Sequence, residues 1–170
     1  MGKKIIIFLI LTILQLNLKS QTCSVCSISI NQFDSSNYTI TSGQTLCLDS
    51  NAVFIGTITI NGGVLCNKGL INPKQFNFQS GTIFNYTNIS LTSNLNVGAN
   101  CVLEIKDGAA LNLNNATLSL SCGQIENNCV ISVIGTINVN SGTFNNINLI
   151  NSSVLNGAAS INNSGIINTN

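Results

Sequence analysis

The 170-residue sequence contains no histidine, no arginine and no tryptophan, and Pro73 is its single proline. Without histidine, the chain cannot form the Ser/His and Cys/His arrangements that activate most nucleophiles in hydrolases. The same absence removes the commonest side chain that binds zinc and other transition metals. The absence of histidine therefore excludes the most frequent hydrolytic mechanisms and the zinc sites that use histidine ligands.

Charged residues are also scarce, at 6% of the chain. Three of the six lysines lie within the first 19 residues, so the rest of the chain carries three lysines against five acidic residues. Nucleic-acid binding draws its affinity from clustered Lys and Arg that neutralise phosphates, and we therefore expect no nucleic-acid partner. The charged residues after position 20 are Asp34, Asp49, Lys68, Lys74, Glu104, Lys106, Asp107 and Glu126.

The first 20 residues have the three-part pattern of a secretory signal peptide. Residues 1–4 are basic, residues 5–16 are apolar except for Thr12 and Gln15, and residues 17–20 are polar again. The apolar run is shorter than the roughly 20 residues that span a bilayer, so we expect no transmembrane segment in the mature chain. We predict cleavage after Ser20 and a secreted or cell-surface location.

Hydrophobic residues make up 44% of the chain and alternate with Asn, Thr and Ser from about Tyr38 onward. Alternation with a period of two is typical of half-buried β-strands. Residues 54–71 also align without gaps on residues 133–150, with matched Gly, Thr, Ile and Asn positions. Turn glycines recur at steps of 17 to 20 residues from Gly43 to Gly98 and again from Gly123 to Gly142, which is typical of solenoid coils.

A β-sandwich, an up-and-down barrel and a parallel β-helix all contain short alternating strands. Only a solenoid stacks equivalent positions directly over one another, which explains why the same Gly, Asn and Ile recur at one offset. Stacking also explains why the chain is rich in Asn and poor in charge, because Asn side chains can form hydrogen-bonded ladders between coils, whereas like charges would repel one another. We predict an all-β parallel β-helix with coils of about 19 residues.

Seven cysteines follow the leader, and an exported protein can form disulfides. The Cys23-x-x-Cys26 motif lacks the βαβ context of a redox site and the second ligand pair of a zinc site, so we predict a disulfide or capping role. Cys47 and Cys66 lie one coil apart and would stack, either as a disulfide or as an unbonded row. Cys122 and Cys129 form a local pair that could close a loop. The predicted disulfide cysteines are Cys23, Cys26, Cys47, Cys66, Cys122 and Cys129.

Candidate chemistry is sparse. Glu104, Lys106 and Asp107 form a small charged patch that we interpret as solvated surface, and the other acidic residues are dispersed along the sequence. Residues 57–59 (Thr-Ile-Thr) match one rung of the threonine arrays on ice-binding solenoids, but other coils do not repeat it. We predict no catalytic residue, no cofactor, no metal site and no enzymatic activity.

Residues 38–47 (YTITSGQTLC) and 56–67 (GTITINGGVLCN), together with the Cys23-x-x-Cys26 motif, resemble the N-terminal β-repeat region of secreted surface proteins of Bacteroidetes. The resemblance implies an adhesin-like protein with β-helical repeats, of a group that commonly carries a C-terminal type IX sorting domain. Residues 160–170 still have the repeat pattern, so the chain departs from that group where a sorting domain would stand.

We therefore expect a signal peptide at 1–20, an N-terminal cap with the CxxC at 21–37, and a solenoid at 38–170 without a C-terminal cap. The expected function is that of a structural or adhesive surface protein. The alternatives are a carbohydrate-binding or carbohydrate-processing β-helix protein and an ice-binding solenoid. The expected partners are surface glycans, other cells and, through end-to-end association, further copies of the chain.

Overall fold

The computed structural model describes residues 23–157 and 161–169, and the predicted signal peptide lies outside them. The described residues form an all-β structure without helices, in which parallel strands stack as a solenoid of about seven coils. Equivalent residues on successive coils lie about 19 positions apart, as in the pair Asn127 and Asn146. The predicted parallel β-helix is confirmed.

Each complete coil supplies three strand segments, so the solenoid has three faces. Face 1 contains one segment from every coil, and each segment pairs in parallel with the next. Its strands are β1 (Ile28–Ile30), β4 (Thr45–Leu48), the second halves of β6 (Thr57–Asn67) and β8 (Gln75–Asn85), β11 (Cys101–Ile105), β14 (Gly123–Asn127), β16 (Gly142–Asn146) and β18 (Ile161–Asn163).

Face 2 follows face 1 along the chain in each coil and also runs the length of the described solenoid. Its strands are only two residues long at the N-terminal end and become longer towards the C-terminal end. The strands are β2 (Phe33–Asp34), β5 (Val53–Phe54), β7 (Leu70–Ile71), β9 (Asn88–Leu91), β12 (Ala110–Asn114), the first halves of β15 (Val130–Val139) and β17 (Leu149–Gly157), and β19 (Ile166–Thr169).

Face 3 closes each coil and joins the two hydrogen-bonded sheets of nine and ten strands. Its first three segments pair within the sheet that contains face 1, and the remaining segments pair within the sheet that contains face 2. The strands are β3 (Asn37–Thr41), the first halves of β6 and β8, β10 (Leu95–Val97), β13 (Leu118–Leu120), and the second halves of β15 and β17.

Alternate residues of every strand point into one continuous apolar core. A fully buried Leu, Ile or Phe stabilises the fold by about 1.5–3 kcal/mol, and the stacked rows supply many of them. Along face 1 the inward row passes from coil to coil in register. Its fully buried members are Leu46, Leu65, Ile83, Leu103, Ile125 and Phe144.

Asparagines occupy the last inward position of face 1, where the chain turns towards face 2. Asn67 donates from Nδ2 to Oδ1 of Asn85 at 2.8 Å, and Asn127 donates in the same way to Asn146 at 2.6 Å. Asn146 then donates to Asn163 at 2.6 Å. The four asparagines from Asn67 to Asn146 are buried, so this ladder is part of the core.

The ladder asparagines also satisfy the backbone of a short corner. Asn67 Oδ1 accepts a hydrogen bond from the amide of Gly69, and its Nδ2 donates to the carbonyl of Asn88. Three coils carry Ile30, Leu48 and Ile105 at the equivalent position instead. The corners after Leu48 and Ile105 are longer and close by a backbone turn, as in the bond from the amide of Ala109 to the carbonyl of Lys106. After the first coil, asparagine therefore accompanies every short corner, whose backbone groups need a side-chain partner, whereas the short corner of the first coil follows Ile30.

The N-terminal CxxC forms a clasp on the outer side of face 1. Cys23 is bonded to Cys66 and Cys26 to Cys47, each with a Cα–Cα distance of 5.7 Å. The clasp packs over Val64, which is fully buried although it points away from the main core. The predicted disulfide or capping role of the CxxC thus takes the form of two bonds to neighbouring coils.

The other two cysteine pairings suggested by the sequence are not formed. Cys47 and Cys66 do stack in register, but each is bonded to the CxxC rather than to the other. Cys122 and Cys129 are free thiols, one exposed and one half-buried. They flank the five residues of β14, and an extended strand of that length holds their Cα atoms roughly 20 Å apart, far beyond disulfide reach.

The segment predicted as an N-terminal cap, 21–37, contains β1 and β2, which pair in parallel with the second coil. Just beyond β2, the hydroxyl of Tyr38 donates a hydrogen bond of 2.6 Å to the carboxylate of Asp34. This bond is the main reason that the pKa of Asp34 is lowered and the pKa of Tyr38 is raised. The first coil is thus tied to the second by backbone pairing, and the bond between Tyr38 and Asp34 joins two of its own strands.

Gly56 lies at the corner between faces 2 and 3, where the chain passes directly over the preceding coil. A Cβ atom there would lie 1.8 Å from the carbonyl oxygen of Ser36. We expect Gly56→Ala to lower the free energy of unfolding by about 1–3 kcal/mol, because backbone must move to admit the methyl group. Gly98→Ala is the matched control, since a Cβ at that position meets nothing within 4 Å. Equal thermal midpoints of unfolding for the two variants would contradict the close approach.

Candidate functional site

The charged residues of the described chain are concentrated on one side of the solenoid. Six of the eight lie on the outer side of face 1 or in the corner between faces 1 and 2. Of the other two, Asp34 ends β2 and Lys74 precedes β8. We call the populated side the charged edge. Its charged members are Asp49, Lys68, Glu104, Lys106, Asp107 and Glu126.

Two aromatic rings lie among these charges. The Nζ of Lys106 is 5.4 Å from the ring centroid of Phe84 and 6.0 Å from that of Tyr86. Lys68 approaches the Tyr86 ring as well, at 5.9 Å. Cation–π contacts of this kind hold the ring and the ammonium groups together at the surface. Tyr86, 36% exposed, therefore presents an ordered aromatic ring to solvent.

Glu104 and Glu126 lie side by side on this edge, on adjacent coils of face 1. Each carboxylate has its own partners: Glu104 forms an ion pair with Lys106, while Glu126 accepts hydrogen bonds from Gln124 and Asn145, each at 2.7 Å. These partners offset the repulsion between like charges on neighbouring strands. The sequence interpretation, which placed Glu126 among dispersed acids, is corrected here, because a 22-residue coil separates the two residues by one strand spacing.

The edge continues as a row of amides towards the C-terminal coils. Asn162 donates to Asn145 at 2.8 Å, and Asn145 donates to Glu126 at 2.7 Å. Together with Ile147 and Ser164 these side chains line a shallow open groove. The groove offers amide and carboxylate groups in a line, which can donate to and accept from a polar ligand.

The outer side of face 3 differs, since its two rows consist almost entirely of small uncharged polar residues. The rung with Thr57 and Thr59 is followed by rungs with Gln75 and Asn77, and then by the outward residues Asn96, Ser119 and Asn138. Several of these side chains bond to the next rung, as Asn77 does to Thr59 at 3.1 Å. The threonine pair is therefore not repeated from coil to coil, as the sequence predicts.

Within residues 23–157 and 161–169, no group of three or more Cys, Asp or Glu residues is arranged to hold a metal ion. The free thiol of Cys101 is buried in the core, and this burial raises its pKa. The described part of the chain also contains no helix long and apolar enough to cross a membrane. The charged edge is thus the candidate site that the described residues offer.

Sequence reasoning identified the patch at 104–107 but not its neighbours, because residues from different coils meet only after the chain has wound. A signal for the corners was present, since Asn67 and Asn146 are each followed at the same spacing by an apolar pair. Comparison with known proteins finds no matching family model, no matching curated protein and no matching solved structure.

Proposed function

We propose that this protein is a secreted or cell-surface structural and adhesive protein without catalytic activity, and that its charged edge binds glycans on the surfaces of other cells. The observation that carries the proposal is the concentration of exposed aromatic, charged and amide groups along one edge of an otherwise nearly uncharged solenoid. The charged edge can therefore recognise a ligand through charged and polar groups, whereas the outer sides of faces 2 and 3 offer almost no charge for such recognition.

The chemistry of the edge suits a carbohydrate. The apolar face of a sugar ring stacks on an aromatic side chain, and its hydroxyl groups pair with amides and carboxylates. Tyr86 supplies the ring, while Glu126, Asn145 and Asn162 supply a line of donors and acceptors. Because the groups lie on successive strands about 4.8 Å apart, the edge suits an extended chain of sugars rather than one buried residue.

The clasp supports the proposed location. Disulfides form and persist in oxidising compartments outside the cytosol. Both bonds of the clasp lie at the surface of face 1, and they fasten the N-terminal segment to two successive coils. This arrangement is useful to a protein that must keep its fold after export, and it agrees with the leader predicted at residues 1–20.

We expect Tyr86→Ala to weaken glycan binding by about two- to twelvefold, because it removes an aromatic contact worth about 0.5–1.5 kcal/mol. Tyr86→Phe keeps the ring and should retain most of the affinity. The measurement is binding of the purified protein to a glycan array, followed by calorimetry on the best glycan. Lys106→Ala should also weaken binding, since Lys106 contacts the ring.

Lys74→Ala is the matched control, because Lys74 lies away from the charged edge. Loss of binding with Lys74→Ala but not with Lys106→Ala would place the ligand elsewhere. Binding that is unchanged by Tyr86→Ala would overturn the assignment of the edge.

The adjacent carboxylates of Glu104 and Glu126 favour one second candidate, a carbohydrate-processing activity. Glycosidases generally use two carboxyl groups that flank the scissile bond. This candidate requires release of reducing sugar from the bound glycan, and its loss in Glu104→Gln and Glu126→Gln variants that still bind. The non-catalytic proposal requires that the unsubstituted protein leave the glycan intact.

A further inference from the structure

A nearly unbroken row of apolar side chains runs along the outer side of face 2. It contains one residue from each of eight successive strands, all in register. Phe33 and Ile166, at its two ends, are each 61% exposed, and Leu70 is 50% exposed. The row is Phe33, Val53, Leu70, Asn88, Ala110, Val130, Leu149 and Ile166.

On one side the row is bordered by small, uncharged polar residues, and on the other by the corner between faces 1 and 2, which carries Asp49, Lys68, Lys106 and Asp107 of the charged edge. The neighbouring outward row of the same face consists of Ser90, Asn112, Ser132, Asn151 and Asn168 in register. No charged residue occurs in either row, so an uncharged surface can pack on these two rows without burying a charge that belongs to them. Monomeric proteins rarely expose a long apolar stripe, and such stripes generally mark contact surfaces.

We propose that face 2 is a self-association surface on which a second copy of this chain packs laterally, face 2 against face 2. A second copy fits for two reasons. Its own row has the same strand spacing, so contacts can repeat at every coil, and the row is close to symmetric about its centre.

The symmetry follows from the order of side chains along the row. A twofold axis that lies in the interface and crosses the row between Asn88 and Ala110 aligns the two copies antiparallel, and a twofold dimer buries the same patch on both subunits. The largest side chains then meet at the ends and the smallest contacts fall at the centre. The opposed pairs are Phe33 with Ile166, Val53 with Leu149, Leu70 with Val130, and Asn88 with Ala110.

The area of the proposed interface indicates how stable the dimer should be. Eight strands extend about 34 Å along the axis, and a four-residue strand such as β9 spans about 13 Å across it. The interface would bury on the order of 1,000 Å² in total, which is at the low end for specific protein contacts. We therefore expect a dimer that dissociates on dilution rather than a permanent one.

Asn88 provides the sharpest test, because it is the one polar interruption of the row and is exposed. Asn88→Leu should tighten the dimer at least tenfold, and Leu70→Lys should weaken it at least tenfold by placing two charges in the interface. The measurement is sedimentation equilibrium of the purified protein over a concentration series, with thermal unfolding to check each fold. Asn96→Leu is the matched control, since Asn96 is an exposed asparagine on face 3.

A protein that stays monomeric in the unsubstituted form and as Asn88→Leu would overturn the proposal. Equal tightening by Asn96→Leu would overturn it too, because stickiness of any added leucine would then explain the result. The test does not depend on glycans, so its failure leaves the proposed function of the charged edge standing. Conversely, a dimer that ignores Tyr86→Ala would show that the two surfaces act separately.

Discussion

Loss of the Cys23–Cys66 disulfide is expected to lower the free energy of unfolding by about 4 kcal/mol, and loss of the Cys26–Cys47 disulfide by about 3 kcal/mol. The reason is the chain entropy of the unfolded state, because the bonds close loops of 43 and 21 residues. The first bond closes the longer loop and therefore has the larger effect. The two contributions are not additive, since the shorter loop lies within the longer one.

The test requires paired substitutions. If Cys23 alone were replaced, the freed thiol of Cys66 would lie beside Cys47 and could attack the remaining disulfide. Cys23→Ser with Cys66→Ser, and Cys26→Ser with Cys47→Ser, avoid this exchange. Thermal unfolding with and without a reducing agent gives the measurement, and a variant that lacks all four cysteines should no longer respond to the reductant.

Cys122→Ser serves as the control for both pairs, because Cys122 is an exposed free thiol. It should leave the thermal midpoint close to that of the unsubstituted protein. A midpoint that is equally insensitive to loss of either disulfide would mean that the clasp contributes nothing to the stability of the solenoid.

Asn127→Ala is expected to lower the free energy of unfolding by about 3–5 kcal/mol, because it leaves several buried polar groups without partners at about 1–3 kcal/mol each. Asn127 donates to Asn146 at 2.6 Å and to the carbonyl of Leu149 at 3.2 Å, and accepts from the amide of Cys129 at 3.3 Å. Alanine can replace none of these bonds. Chemical denaturation gives the measurement.

Asn96→Ala, at an exposed position on face 3, is the control and should change stability by less than about 0.5 kcal/mol. The reciprocal substitution tests the explanation itself. Ile105→Asn places an amide at the ladder position of a corner that already closes through its own turn at Lys106 and Ala109. It should destabilise the protein, whereas a stabilising effect would show that the ladder asparagine does not depend on the length of the corner.

Much of the fold was accessible from local pattern. The alternation around Ile58 and Ile60 predicts strands, and the gapless match of residues 54–71 to 133–150 predicts stacked coils. In the structure Asn67 and Asn146, matched in that alignment, occupy the same corner position four coils apart. The pattern succeeded because a solenoid repeats the same local environment in every coil.

The cysteine connectivity shows where local pattern fails. Spacing alone correctly placed Cys47 and Cys66 on neighbouring coils, but it could not reveal that the CxxC would lie across both of them. The pairing of Cys122 with Cys129 failed for the opposite reason, because a short separation in sequence becomes a long distance once a strand extends between them.

The sequence by itself determined the fold class of this protein. Alternating apolar and polar residues specify strands, the internal repeat specifies coils, and Gly and Asn mark the corners. The scarcity of charged residues allows equivalent positions to stack without repulsion between like charges. The winding of the chain alone decided which side chains share a surface, because a coil of about 19 residues brings residues that are distant in sequence to one strand spacing. That spacing gathers Glu104, Glu126 and Asn145 into one edge and aligns Phe33 through Ile166 into one apolar row. Both surfaces depend on register between coils, a long-range property that the local sequence does not encode.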